Sequence, residues 1–225
     1  MPNTHKRFQS FLGVFLATFS LTACVLSGGP ENGKVIDATT NTPVEDAIVV
    51  ARWIGHLATW AHGSTNCYHV ESTTTDKNGE FHIPKWEKNY TEDWQKNISP
   101  RYVDITAYKP GYQLSPRQIE EQSPPKGIYY IEPFKGSREE RLEYLLHLSS
   151  LVGCHSAGDE KPLISVYKSL YDEAKASATS DDDKSSLQII RRHALYAWSR
   201  PPRELTSHEI EQAIQSDPYL REQFK

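Results

Sequence analysis

Several features are scarce in this 225-residue sequence, and each absence narrows the function. After residue 24 no apolar run approaches the roughly 20 residues that a membrane-spanning helix needs. Acidic residues outnumber basic ones, 29 to 25, and the basic residues form no stripe, which argues against a nucleic-acid partner. The chain also lacks a Gly-x-Ser-x-Gly elbow, a complete phosphate-binding loop and a His-Glu-x-x-His motif. The sequence therefore predicts no catalytic residue, no cofactor and no metal ligand.

The N-terminus has the composition of an export signal. Lys6 and Arg7 precede an apolar run over residues 11–21, and no acidic residue occurs before Glu31. A basic head followed by a short apolar stretch is typical of a secretory signal peptide. Because the run is too short to span a bilayer as a helix, we expect residues 1–23 to be removed.

The end of this segment resembles the bacterial lipobox, in which an aliphatic residue and two small residues precede an obligatory cysteine. Here the residues are Leu21-Thr22-Ala23-Cys24. The resemblance implies that Cys24 carries a diacylglycerol and, after cleavage, an acyl group such as palmitate on its new amino group. Several acyl chains on one residue make an effectively permanent anchor, whereas one chain binds only marginally. By resemblance to the sorting rules of enteric-type bacteria, an Asp at position 25 would favour retention in the inner membrane. The residue here is Val25, which favours the outer membrane facing the periplasm.

Two cysteines remain, Cys67 and Cys154. In an exported protein an even pair indicates a disulfide, and we expect one here. The alternative is zinc, held by Cys67, His69, Cys154 and His155. Their spacing matches no zinc ribbon or finger, and thiols in an oxidising compartment pair first.

Residues 33–134 have the pattern of short strands separated by turns. Residues 47–54 are mostly β-branched and apolar, and residues 67–75 and 80–83 alternate on either side of Asp76-Lys77-Asn78-Gly79. This turn predicts a β-hairpin between the two alternating runs. Several such strands favour a β-sandwich over residues 33–134, preceded by a tether over residues 24–32.

At Gly136 the hydrophobic period changes to that of helices. Ser137 with Glu140, and Thr206 with Glu209, have the spacing of capping boxes. Three acids at residues 181–183 suit another helix start, and Pro162 suits a first turn. We predict three or four helices over residues 135–225, packed on the sandwich. The predicted fold class is thus α+β, with a small all-helical C-terminal region.

The β half resembles the carboxypeptidase regulatory-like domain, a transthyretin-like, Ig-like β-sandwich. The resemblance implies an accessory or scaffold module without a catalytic set of its own, and fold analogy alone argues only weakly about function. The matching residues are Gly33-Lys34-Val35, Asp37, Thr42-Pro43-Val44, Ala47, Val49, Thr75-Asp76, Gly79, Phe81, Ile105, Ala107 and Gly111-Tyr112.

Two loops depart from the family pattern and supply the candidate binding residues. His56, Trp60 and His62 lie in the segment between residues 55 and 66, and Trp94 ends a Trp-rich segment. Aromatic side chains give a large contact area at low entropy cost, so these residues are candidates for binding an envelope protein or a glycan. We expect a lipid-anchored, non-catalytic envelope module. Two alternatives stay open: a metal-assisted enzyme that uses the His-rich segment 55–69, and a carrier of small apolar ligands.

Overall fold

The computed structural model describes residues 25–57, 63–89, 95, 97–120, 127–155, 160–201 and 203–225. The predicted signal peptide, Cys24, Trp60, His62 and Trp94 lie outside the described residues. Strands occupy the first part of the chain, and most of the helices follow them. The predicted α+β class with a helical C-terminal region is therefore confirmed at this level.

The described strands form three sheets. Strand β2 pairs with β5 antiparallel and with β9 parallel, and β8 completes that four-stranded sheet. Strand β3 lies between β4 and β7 in a three-stranded sheet, while β1 pairs with β6. The strands are β1 (Val25–Gly28), β2 (Glu31–Asp37), β3 (Ile48–Leu57), β4 (Ser64–Thr74), β5 (Glu80–Ile83), β6 (Trp86–Asn89), β7 (Ile98–Tyr108), β8 (Tyr112–Leu114) and β9 (Ile128–Pro133).

Strand β3 is buried on both of its faces. Val49, Ala51 and Trp53 belong to the apolar cluster that also contains Val35 and Ile131 of the four-stranded sheet. Val50, on the opposite face, belongs to a second cluster that consists mainly of helical residues. Because side chains of a strand alternate between its faces, one strand contributes to both cores.

The predicted hairpin between residues 67–75 and 80–83 is wrong. The turn itself is closed, since Gly79 N donates to Asp76 O at 2.8 Å and Gly79 has a φ of 73°. However, β4 pairs with β3, whereas β5 pairs with β2 in the other sheet. The turn therefore carries the chain from one sheet to the other.

A bulge in β4 decides which face Cys67 occupies. Trp53 pairs with His69 but the next residue, Ile54, pairs with Cys67, so Tyr68 is the extra residue. Strict alternation would place Cys67 on the same face as His69. Because a bulge inserts one residue, it turns Cys67 to the face of Val70, which packs on the helices.

Three of the described helices begin where the capping signals predict, whereas α1 (Pro116–Glu120) lies in the segment predicted to contain only strands. Ser137, Ser180 and Thr206 are N-caps of complete capping boxes, in which the side chain of each cap accepts from the third residue on. The apolar faces predicted from the period are mostly buried. The helices are α1 (Pro116–Glu120), α2 (Arg138–Leu151), α3 (Ile164–Ser177), α4 (Asp181–Ser199), α5 (Ser207–Ser216) and α6 (Pro218–Gln223), with a 3-10 turn at Lys161–Leu163 before α3.

Most of the described residues in the segment expected to be a tether, 24–32, lie in strands. Residues 25–28 form β1, and β2 already begins at Glu31. Leu26 is 4% exposed and packs in the core of the β half. The chain therefore has little slack between residue 24 and the folded body.

Candidate functional site

A disulfide joins the two halves of the molecule. Cys67 of β4 is bonded to Cys154, which follows α2, and their Cα atoms are 5.1 Å apart. Cys154 is 1% exposed, and its backbone N donates to Glu160 Oε2 at 3.2 Å. Arg52 Nη1 of β3 donates to Gly153 O at 3.2 Å, next to the disulfide. The bond thus lies within a seam that polar contacts also fix.

The predicted loop site is only partly described. His56 lies near the end of β3, opposite Thr65 of β4. Its imidazole lies against Gly63, where an added Cβ would come 2.0 Å from His56 Cε1. The described residues place His56 at the base of the loop; they do not bring it together with Trp60, His62 or Trp94, which lie outside them.

His69, the described histidine at the end of the His-rich segment, belongs to an aromatic cluster. Its ring stacks on Trp86 with centroids 3.6 Å apart, and Nε2 is 3.0 Å from Glu71 Oε1. Trp53 completes the cluster, with its ring centroid 5.3 Å from that of Trp86. Among the described residues no group of three or more His, Cys, Asp or Glu side chains is arranged to hold a metal ion.

Gly28 of β1 closes this aromatic cluster. A Cβ at Gly28 would come 2.3 Å from Trp53 Nε1 and 2.8 Å from Trp86 Nε1. Trp53 and Trp86 are 3% and 9% exposed, so the cluster is part of the core. The close approach requires glycine and holds β1 tightly against the two indoles.

A cleft in the helical half was missed by sequence reasoning. It has a volume of about 340 Å³ and is lined by His155, Arg192, His193, Tyr196 and Glu204. His155 and His193 are 38 residues apart in the chain, yet their ring centroids are 5.9 Å apart. No local motif marks either residue, so only the packing of α4 against the residues after α2 reveals the pair.

The two histidines have opposite electrostatic environments. Burial, with smaller contributions from the positive charges of His155 and Arg192, lowers the pKa of His193 to about 4. The Glu160 carboxylate raises the pKa of His155, with a 3.6 Å separation between Nδ1 and Oε1. Ser149 Oγ lies 3.1 Å from His193 Nδ1 but is fully buried and also donates to Leu146 O, so it is not exposed as a nucleophile.

Glu173 of α3 is the centre of a second polar seam between the halves. It accepts from Tyr108 Oη at 2.6 Å, from Gly111 N at 2.9 Å and from Arg141 Nε at 2.8 Å. Arg141 also donates from Nη1 to Tyr112 O at 2.6 Å. Burial, followed by the hydrogen bond to Glu173, raises the pKa of Tyr108. One carboxylate thus connects β7 and the turn after it to α2 and α3.

The surface beside β1 combines exposed apolar groups with a cation. Val25 is 41% exposed and Tyr102 is 58% exposed, and with Tyr219 they are the exposed large apolar side chains of the described chain. A groove of about 220 Å³ has a lining that includes Ser27, Arg101 and Tyr102. Arg101 is the extra residue of a bulge in β7, because Ile54 pairs with Tyr102 and Gly55 with Pro100.

Comparison with protein families, curated proteins and solved structures returns no match. In the part of the chain that the structure describes, none of the helices is both long and apolar enough to cross a bilayer. The function therefore has to be argued from the residues of this chain.

Proposed function

We propose that the mature chain is a lipid-anchored, non-catalytic module of the bacterial cell envelope, which binds or braces an envelope protein or glycan. The observation that carries the proposal is the position of β1. Its first residue, Val25, directly follows the lipobox cysteine, and β1 is paired over its whole length with β6. A lipid on Cys24 would attach the folded body to the membrane almost without a linker.

The β half supports assignment to a transthyretin-like, carboxypeptidase regulatory-like module. Seven of the described strands form two sheets around a common apolar cluster. Residues that carry the resemblance have clear structural roles: Asp37 Oδ1 accepts from Thr39 N at 2.8 Å, and Thr75 Oγ1 donates to Val44 O at 2.7 Å. Such side chains fix the turns between strands, which is what a scaffold fold requires.

Ion pairs between helices support a bracing role rather than a catalytic one. Arg141 pairs with Glu173, Arg138 with Asp183 and Arg191 with Glu211. Each pair joins different elements, so these charges are used to position helices. His69 also has a structural environment, because its ring is stacked on Trp86 and its Nε2 lies 3.0 Å from Glu71 Oε1.

One observation favours the carrier as a second candidate. A cleft of about 380 Å³ lies between β8 and the start of α1 on one side and α2 on the other. Its lining includes Leu114, Pro116, Tyr144, Leu148 and Leu151, and ligand pockets commonly begin at about 300 Å³. Saturable binding of a fatty-acid probe by the purified protein would favour this candidate, and no binding would remove it.

Replacement of the anchor residue tests the proposed function. In Cys24→Ser we expect an uncleaved precursor or a released protein, while the wild type is processed and sediments with membranes. Mass spectrometry of the mature N-terminus should show an acylated cysteine in the wild type. Normal processing and membrane association of Cys24→Ser would contradict the proposal. Partners can then be identified by in-cell crosslinking from position 56, with crosslinking from His208, an exposed residue of α5, as the matched control.

A further inference from the structure

We infer that the face formed by Val25, Arg101 and Tyr102, called here the membrane-proximal face, lies on the lipid headgroups of the membrane that holds the anchor. The inference rests on the proposed lipidation of Cys24. It adds the orientation of the folded body, which an anchor on a flexible linker would leave free.

The first step is that no flexible linker separates the residue that carries the lipid from the folded body. Consecutive Cα atoms are about 3.8 Å apart, so the residue that carries the lipid lies next to Val25. Val25 cannot swing away from the body, because it pairs with Asn89 and the following Leu26 is buried beside Trp53 and Trp86. Gly28, packed on the two indoles, fixes the other end of β1. The body must therefore present the surroundings of Val25 to the membrane.

The second step is the position of Tyr102 and Arg101. Val25 and Ser27 are both exposed and, two residues apart in a strand, point to the same side of β1. Ser27 lines the same groove as Arg101 and Tyr102. The exposed Val25 thus lies on the side of β1 that faces this groove, next to the residue that would carry the lipid.

The third step is chemical fit. Tyrosine is enriched at membrane interfaces because its ring is apolar and its hydroxyl is polar. An arginine near the surface is attracted to lipid phosphates and to anionic headgroups. A bilayer surface is the occupant that the anchor itself delivers to this face.

Photo-crosslinking of the lipoprotein in cells tests the inference. The photoreactive residue p-benzoyl-phenylalanine replaces Tyr102 in one strain and Tyr219 in the other. Tyr219 is a matched control because it is 43% exposed but lies in α6 of the helical half. We expect a phospholipid adduct at position 102, detected by mass spectrometry of the purified protein, and none above background at position 219. With Cys24→Ser added, the adduct at position 102 should be absent from the protein that is released from the membrane.

The outcomes separate this inference from the proposed function. An unacylated residue 24 in the wild type overturns the proposed function and this inference with it. Acylated protein without a lipid adduct at position 102 overturns only the orientation. A protein adduct at position 102 shows that the face docks a protein instead, and equal lipid adducts at both positions show that the body has no fixed orientation.

Discussion

The two halves of the molecule differ in what they bury. Among the described residues, the core of the β half is aliphatic and aromatic, and Asp37 is its buried charged residue. The helical half buries Arg141, Glu160 and Arg191, and it holds His193 with a strongly lowered pKa. The β half contains the sequence-predicted binding residue His56, whereas the two histidines with shifted pKa values, His155 and His193, lie in the other half. The comparison teaches that the helical region is more than a cover for the sheet.

A physical reason connects this difference to the architecture. Backbone hydrogen bonds join neighbouring strands of a sheet directly, so the β half needs few side-chain charges to hold its strands together. A helix satisfies its own backbone and must be positioned by side chains. Ion pairs of the helical half supply that positioning, at Arg141–Glu173 between α2 and α3 and at Arg191–Glu211 between α4 and α5, and Glu173 also accepts a hydrogen bond from Tyr108 of the sheet.

Removal of the disulfide is the strongest test of whether the two halves depend on each other for stability. The double variant Cys67→Ser/Cys154→Ser should lower the free energy of unfolding by about 4–5 kcal/mol, because the bond closes a loop of 87 residues. Chemical denaturation followed by both tryptophan fluorescence and circular dichroism measures the loss. If the halves are stabilised independently, the two signals will separate into two transitions. A loss below about 1 kcal/mol would contradict the role assigned to the bond.

Loss of the Glu173 carboxylate tests the polar seam. Glu173→Gln leaves Arg141, whose side chain is 7% exposed, without its charged partner, and breaking a buried pair costs about 3 kcal/mol. The expected lower denaturation midpoint is measured in urea. Glu143→Gln, an exposed residue of α2, is the control and should change stability by no more than about 0.5 kcal/mol. Equal effects of the two variants would show that the seam contributes nothing specific.

Acid titration sharpens the comparison within the helical half. The pKa of His193 is about 4 in the folded protein, whereas an unfolded histidine titrates near 6.5, so the unfolded state takes up the proton first as pH falls. Stability is thus retained above pH 6.5 and declines toward pH 4, by roughly 2 kcal/mol after allowance for partial solvent exposure. His193→Gln should flatten this part of the stability–pH profile.

The neighbouring histidine provides a control of opposite sign. Glu160 raises the pKa of His155, so this contribution is present at low pH and is lost as pH rises through the folded-state pKa. His155→Gln should therefore steepen the loss of stability on acidification. A flatter stability–pH profile for His155→Gln, or an unchanged profile for His193→Gln, would contradict the directions in which the pKa values of these two histidines are shifted.

Local signals in the sequence predicted the helices that begin with capping boxes. The pairing of strands depends on residues far apart in the chain, and it could not be predicted in the same way. The capping boxes at Ser137 and Thr206 involve residues three apart, so the sequence contains the whole interaction. The turn at Asp76–Gly79 was also visible, but its backbone bonds do not determine which sheet each flanking strand joins. The bulge at Tyr68 has no marker in the alternating pattern, although it decides that Cys67 faces Cys154.

The candidate surfaces illustrate the same limit. The pairing of β1 with β6 joins residues about 60 positions apart, such as Val25 and Asn89, and the flanking sequence reads as a tether. The pair of His155 and His193 depends on how α4 packs against the end of α2. Both contacts follow from tertiary packing, which a periodicity analysis of one segment at a time does not reach.

The two-sided burial of β3 has a consequence for the order of synthesis. The β half leaves the ribosome before the helices that cover Val50, Val70 and Tyr108. A β half that folds at once would show this apolar face to solvent until residues 135–225 arrive, and such faces promote aggregation. A fragment ending at residue 134 would remain in that state permanently. The helical half thus removes this apolar face from solvent once it has been synthesised and has folded onto the sheet.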